Sequence, residues 1–313
     1  MIKDKDKDKD KDKDKDKDKI YDANRKFETP VLSKVICVTC ARDMEVWKIS
    51  SLNILKFIPS NKYEVIVPDN EVDVFINNTN ANFNVVREST YLSGINLEFV
   101  RDRLVKYKDL AGWYLQQFIK INACRIGSTN DIFLIWDADT VPLKKLEFFD
   151  LNGKIKFYKG VEHHADYFFT IQKILGLQKK VDFSFITQCF PVKRIWAEEF
   201  CKEIEIRSGV NWVIAVLDNI SGQTRSGFSE YESLGTFLTY KYPNDFIVIE
   251  SNWSRYGNSL IGGIQNFNSI AVNKLSKRYD YIAFENSHKK YGIVKRNLRN
   301  IWLYIKSLCS VKI

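Results

Sequence analysis

A hydrophobic leader is not expected from the 313-residue sequence, because charged residues begin at Lys3 and leave no apolar core of the kind a secretory signal uses. Long apolar runs are missing as well. The strongest near the middle, Ile132 to Trp136, spans five residues, against the roughly 20 that a membrane-crossing helix requires. Cysteine is sparse: there are six, with one C-x-x-C pair, Cys37 and Cys40, and no second pair. A zinc site built from two such pairs is therefore excluded, and a redox pair belongs at a helix start rather than in an apolar run that reads as a strand. The expectation is ordinary buried thiols, kept reduced in a cytoplasmic protein. No Gly-rich, Lys-containing phosphate loop follows the first apolar segment, where Cys40-Ala41-Arg42-Asp43 stands instead. That absence counts against a nucleotidyltransferase. Neither an internal repeat nor a clear linker is visible, which predicts one continuous domain with C-terminal elaborations.

What is present begins with a charge-alternating tail. Lys3 to Lys19 holds nine Lys and eight Asp. A strand would line each face with one sign of charge, a helix would set like charges at i,i+4, and no apolar residue rewards either. The tract over 1–26 is expected to be disordered and solvated. It contributes +1 of the formal net charge of +9, which leaves +8 on the remainder. That excess suits an anionic partner: a phosphorylated substrate, an acidic membrane surface or nucleic acid, the last not expected once the Asp137–Asp139 segment below is considered. The remainder, 45% hydrophobic and 14% aromatic over the whole chain, can bury a sizeable core and has rings to spare for a binding cleft.

The folded part is expected over 27–288. Val31–Thr39, Tyr63–Val67, Phe83–Val86 and Asp131–Thr140 read as strands. Helical spacing covers 44–58 and 108–124, the latter with Leu110, Tyr114, Phe118 and Ile121 on one stripe. Beyond Pro142, Phe183–Phe190 and Phe246–Ile249 read as strands and 194–207, 211–220 and 230–240 as helices. Strands alternating with helices predict an α/β fold with a mainly parallel sheet flanked by helices.

The segment Ile132-Phe133-Leu134-Ile135-Trp136 has the look of a central strand buried on both faces, and Asp137-Ala138-Asp139 stands where it ends, ahead of Pro142. Ligands of open α/β sheets bind outside the carboxyl ends of strands. In extended chain the two carboxylates would point to one side, and small Ala138 would let a diphosphate approach. Carboxylate oxygens suit Mg²⁺ or Mn²⁺. Such an ion can stabilise the charge that grows on a departing nucleoside diphosphate. The tail contains Asp-x-Asp triplets too, so the triplet alone says little and its place in the fold carries the reading.

With that segment in hand, the chain resembles bacterial GT-A (Rossmann-type) glycosyltransferases with a DxD motif, in particular transferases found with capsule, O-antigen and lipooligosaccharide genes. Supporting segments are Gly112-Trp113-Tyr114-Leu115-Gln116-Gln117-Phe118, Gly227-Phe228-Ser229-Glu230-Tyr231-Glu232 and Trp253-Ser254-Arg255-Tyr256-Gly257. The resemblance implies transfer of a sugar from a nucleotide-sugar donor, a UDP-sugar first, to a glycan or lipid-linked acceptor. It also implies a carboxylate base at a helix start, here Glu230 or Glu232, if configuration is inverted, and a late histidine, His288, as third metal ligand. Lys290 and Arg255 are candidate phosphate or acceptor contacts. Asp43 and Asp69, after the first two strands, are candidates for the base or ribose. His163 and His164, adjacent in sequence, face opposite ways in extended chain and suit a loop or an acceptor contact.

Residues 289–313 contain seven Lys and Arg and no acid, with Val294, Leu298, Ile301, Ile305 and Leu308 on one helical stripe. A basic amphipathic helix of this kind suits the anionic inner face of the plasma membrane; packing on the domain is the alternative. A non-enzymatic basic protein that binds membrane or nucleic acid is the rival of another class, but it leaves Asp137 and Asp139 unexplained.

Overall fold

In the computed structural model, residues 30–104, 106–220 and 225–285 are described. The expectations for the Lys-Asp tail, His288, Lys290 and the C-terminal helix lie outside them. In chain order the first half carries β1 (Lys34–Val38), α1 (Met44–Phe57), β2 (Tyr63–Val67), α2 (Val72–Asn78), β3 (Phe83–Arg87), α3 (Leu97–Arg103), α4 (Ala111–Ala123), β4 (Ile132–Trp136) and β5 (Thr140–Pro142). The second half carries β6 (Ile155–Tyr158), α5 (Ala165–Leu175), β7 (Cys189–Lys193), α6 (Arg194–Ser208), α7 (Trp212–Asn219), α8 (Glu230–Lys241), β8 (Phe246–Ile249), β9 (Trp253–Ser254), α9 (Gly257–Ile261), α10 (Ser269–Ser276) and β10 (Tyr281–Ala283).

The fold is α/β, with a mainly parallel central sheet flanked by helices. The sheet runs β3-β2-β1-β4-β7. β1 lies parallel between β2 and β4, and β7 closes the edge antiparallel to β4. The period of two sorts the side chains of each strand between two faces. Ile36 and Val38 of β1 join Phe133 and Ile135 of β4 in the core covered by α4, α6, α7 and α8. Val35 and Cys37 join Leu134 and Trp136 in the opposite core, where Trp47 of α1 packs. Burial on both faces explains why these strands read as unbroken apolar runs. Cys37 is a free, buried thiol and Cys40 is free and half-buried. Burial pushes the Cys37 thiol well above its ordinary range, as expected of a packing residue.

Three expectations need correction. The strand expected over Phe183–Phe190 is Cys189–Lys193 instead. Residues 183–188 form a loop that closes on Gln188, whose φ is 64°. Gly160 bridges Ser184 in that loop, and a Cβ on Gly160 would lie 2.6 Å from the Ile186 carbonyl oxygen. Second, Asp131–Thr140 is not one strand: β4 ends at Trp136, and the separate β5 runs from Thr140 to Pro142, which lies opposite Tyr281 of antiparallel β10. Third, the chain from Asp137 to Thr140 is not extended. The Thr140 amide donates to the Asp137 carbonyl at 2.9 Å, which makes a β-turn with Ala138 and Asp139 at its centre.

Candidate active site

The turn at the carboxyl end of β4 is pinned from four directions. The Asp137 amide donates to the Gln188 carbonyl at 2.9 Å, and the Phe284 amide donates to the Asp139 carbonyl at 2.8 Å. The Thr140 carbonyl accepts from the Trp136 indole at 2.8 Å and from the Ser50 hydroxyl at 2.6 Å. Strands β4 and β7, helix α1 and the segment after β10 therefore all fix the Asp-Ala-Asp backbone. Ala138 is buried, while Asp137 and Asp139 are half-buried.

The two aspartates have unlike surroundings. Oδ1 of Asp137 accepts from Lys120 Nζ at 2.5 Å and from the Tyr231 hydroxyl at 2.7 Å. The carboxyl of Asp139 is pushed up to about 8, first by burial and then by the charges of Asp137, Glu285 and Asp43. Glu285 in turn accepts from the Gln188 amide at 2.7 Å and lies 3.6 Å from Arg255 Nε. The site thus gathers four carboxylates, Asp43, Asp137, Asp139 and Glu285, against the two cations Lys120 and Arg255, a deficit of positive charge.

A divalent cation fits that deficit. Hard carboxylate oxygens are the donor set of Mg²⁺ and Mn²⁺, and Mg²⁺ characteristically uses one or two carboxylates together with substrate phosphates. Among the described residues no group of three His, Cys, Asp or Glu side chains is arranged to hold a metal. Asp137 and Asp139 would accordingly supply two ligands and leave positions for a diphosphate.

Helix α8 brings its first turn to the same place. Ser229 caps it by accepting from the Glu232 amide. The Glu230 amide donates to Gln117 Oε1 at 3.0 Å, and the Gly227 amide donates to the Tyr114 hydroxyl at 2.9 Å. Two of the segments singled out in the sequence, 112–118 and 227–232, are therefore in contact. The three residues that open α8 differ in what they do. Glu230 is buried and takes Lys120 Nζ at 2.8 Å. Tyr231 reaches Asp137. Glu232 turns instead to the 183–188 loop, where its Oε1 accepts from the Ser184 hydroxyl and from the Phe185 amide at 3.2 Å. Its Oε2 is buried without a hydrogen-bond partner, and burial raises its carboxyl above the ordinary range.

The other sequence candidates are spread around this centre. Asp43 is near enough to act on Asp139 electrostatically. Asp69 accepts from the amide and hydroxyl of Ser89, at the ends of β2 and β3. Arg255 pairs with Glu162 and approaches Glu285. His163 stacks on Phe168, and His164 lies 3.3 Å from Glu162. Sequence reasoning missed Lys120, Tyr231, Gln188 and Glu285. A signal for the first existed: Lys120 is a lone cation in the apolar run Phe118-Ile119-Lys120-Ile121 of an amphipathic helix.

A model for a family of unknown function, DUF6492, matches residues 32–248. The chain belongs to that family. No curated protein matches the sequence. Among solved structures, the chain is similar to mouse xyloside xylosyltransferase 1 in its apo form, at 8% identity over 82% of this chain and 99% of that one, with a TM-score of 0.40. It is similar to the galactosyltransferase LgtC in complex with donor and acceptor sugar analogs, at 8% identity over 85% of this chain and 95% of that one, with a TM-score of 0.42. It is also similar to the bifunctional glycosyltransferase WbbM, at 12% identity over 88% of this chain and 50% of that one, with a TM-score of 0.41.

Proposed function

We propose that the chain is a metal-dependent glycosyltransferase of the GT-A type, which moves a sugar from a nucleotide-sugar donor to a glycan or lipid-linked acceptor. The observation that carries this reading is the pinned Asp137–Asp139 turn at the carboxyl end of a central parallel strand, with Asp43 and Glu285 close enough to act on Asp139. Asp137 and Asp139 would hold Mn²⁺ or Mg²⁺, with His288 a candidate third ligand. The ion, when bound, stabilises negative charge on the departing nucleoside diphosphate. Asp43 and Asp69, near the ends of β1 and β2, are assigned to the nucleoside side. Arg255 and Lys290 are assigned to phosphate or acceptor.

For an inverting reaction a carboxylate must take the acceptor's proton. Glu232 is the better candidate of the pair. Burial raises both carboxyls, but the charge of Glu230 is committed to Lys120, whereas Glu232 keeps an oxygen without a hydrogen-bond partner. A base whose affinity for protons lies near the working pH transfers them best. Among the described residues no helix is long and apolar enough to cross a membrane. Residence on an inner membrane face therefore rests on the basic segment 289–313, read from sequence.

The test is to incubate the protein with sugar nucleotides and Mn²⁺ and to identify what is released. Nucleoside diphosphate, freed by transfer to acceptor or to water, is the expected product. Pyrophosphate would establish nucleotidyl transfer instead, and no product from any donor class would remove the enzymatic reading.

A further inference from the structure

The charge balance of this site rests on a residue to which the reaction above gives no part. Lys120 comes from the middle of α4, and its side chain is 3% exposed. Its ammonium lies 2.5 Å from Asp137 Oδ1 and 2.8 Å from Glu230 Oε1, and 5.1 Å from the centre of the Tyr231 ring. The Tyr231 hydroxyl donates to the same Oδ1 at 2.7 Å. Two donors on one oxygen fix the Asp137 carboxylate and leave Oδ2 as the oxygen open to a further ligand.

A carboxylate shared between two cations is also the plan of two-metal centres, where ions stand roughly 3.5–4 Å apart. Here one of the two places, between Asp137 and Glu230, is filled by an ammonium at hydrogen-bonding distances. We propose that Lys120 is a built-in second cation. It occupies the place between Asp137 and Glu230, so that the centre takes one divalent ion, on Asp139 and the outer oxygen of Asp137, and not two. Lys120 is on this view a positioning residue. It orients Asp137, holds Glu230 out of proton transfer, and supplies a positive charge that does not leave with the product. The inference rests on the metal-site reading of Asp137 and Asp139.

Counting bound Mn²⁺ on the full chain by equilibrium dialysis and electron paramagnetic resonance tests it. The parent and Lys120→Arg are expected to bind one ion. Lys120→Ala, which opens the space and leaves both carboxylates, is expected to bind two, with spin coupling between them. Lys120→Met, which fills the space without charge, is expected to bind one ion more tightly than the parent, because a like charge has been removed. One ion of parental affinity in both Lys120→Ala and Lys120→Met overturns the inference. Should those variants prove unfolded by circular dichroism, two ions in Lys120→Arg overturn it, and one ion held at parental affinity supports it. The two readings fail separately. A parent that binds no Mn²⁺ removes the metal site and this inference together. One ion in the parent and two in Lys120→Ala, without turnover of any sugar nucleotide, leaves the inference standing and removes only the transferase reading.

Discussion

Replacing Lys120 with methionine keeps most of the side chain's volume and deletes its charge. Glu230, 6% exposed, and Asp137, 20% exposed, then face each other with no cation between them. Removing one partner of a buried ion pair costs about 3–5 kcal/mol, because the remaining charge is stranded in a poorly polarisable interior. Asp137 is the more exposed carboxylate and water recovers part of its share, so the lower end, about 3 kcal/mol, is expected for the variant. At about 2–4 °C per kcal/mol for a domain of this size, the midpoint of thermal unfolding should fall by about 6–12 °C. Adding Glu230→Gln removes one of the stranded charges, so the double variant should recover more than half of the loss, a strong non-additivity of the kind that contacting residues show. The assay is thermal unfolding followed by circular dichroism near neutral pH in the presence of EDTA. A fall of less than about 2 °C, at most about 1 kcal/mol by the same conversion, would refute the reasoning. So would a double variant as unstable as the sum of the singles.

Three further outcomes are expected. Asp139 keeps its proton up to about pH 8 in the folded, metal-free protein, whereas unfolded it ionises near pH 4. Its contribution is therefore fully present below about pH 4 and is lost as pH rises toward 8. Asp139→Asn cannot ionise, so in EDTA its midpoint should gain on the parent between about pH 5 and 8; a constant or shrinking gap contradicts this. Glu232→Gln should lower kcat by about a hundredfold or more if Glu232 is the base, with the fold intact by circular dichroism; unchanged turnover would reassign the role. Gly235→Ala should destabilise the chain, because the new Cβ would stand 2.1 Å from a ring carbon of Phe185, and overpacking of this kind costs about 1–3 kcal/mol. A variant as stable as the parent would show that the 183–188 loop yields easily.

The sheet was legible in the sequence because its strands are buried on both faces. Val35-Ile36-Cys37-Val38 and Phe133-Leu134-Ile135-Trp136 read as continuous apolar runs, and each run lies in the sheet. The helix at α8 was legible as 230–240, with Glu230 and Glu232 as favourable charge in its first turn, and the structure adds Ser229 as its cap. Short elements whose partners are distant in sequence were not. β5 and β10 exist by pairing with each other across Thr140 to Ala283, and nothing local marks either. The position of the carboxylates was legible from the end of β4, but not their geometry. The turn is enforced by Gln188, Phe284 and Ser50, none of which neighbours it in sequence. Lys120 was overlooked for the same reason: a lysine inside an apolar helix face makes sense only once Asp137 and Glu230 are brought to it.

The proposed function depends most on Asp137 and Asp139 forming a metal-dependent nucleotide site. Thermal shift over a panel of UDP-, GDP-, CMP- and dTDP-sugars, with and without Mn²⁺, tests that directly when the parent is compared with Asp137→Ala/Asp139→Ala. Stabilisation by one nucleotide class, UDP first, that needs Mn²⁺ and disappears in the double variant is the predicted result. No response to any nucleotide, or a response that survives in the double variant and in EDTA, would contradict it.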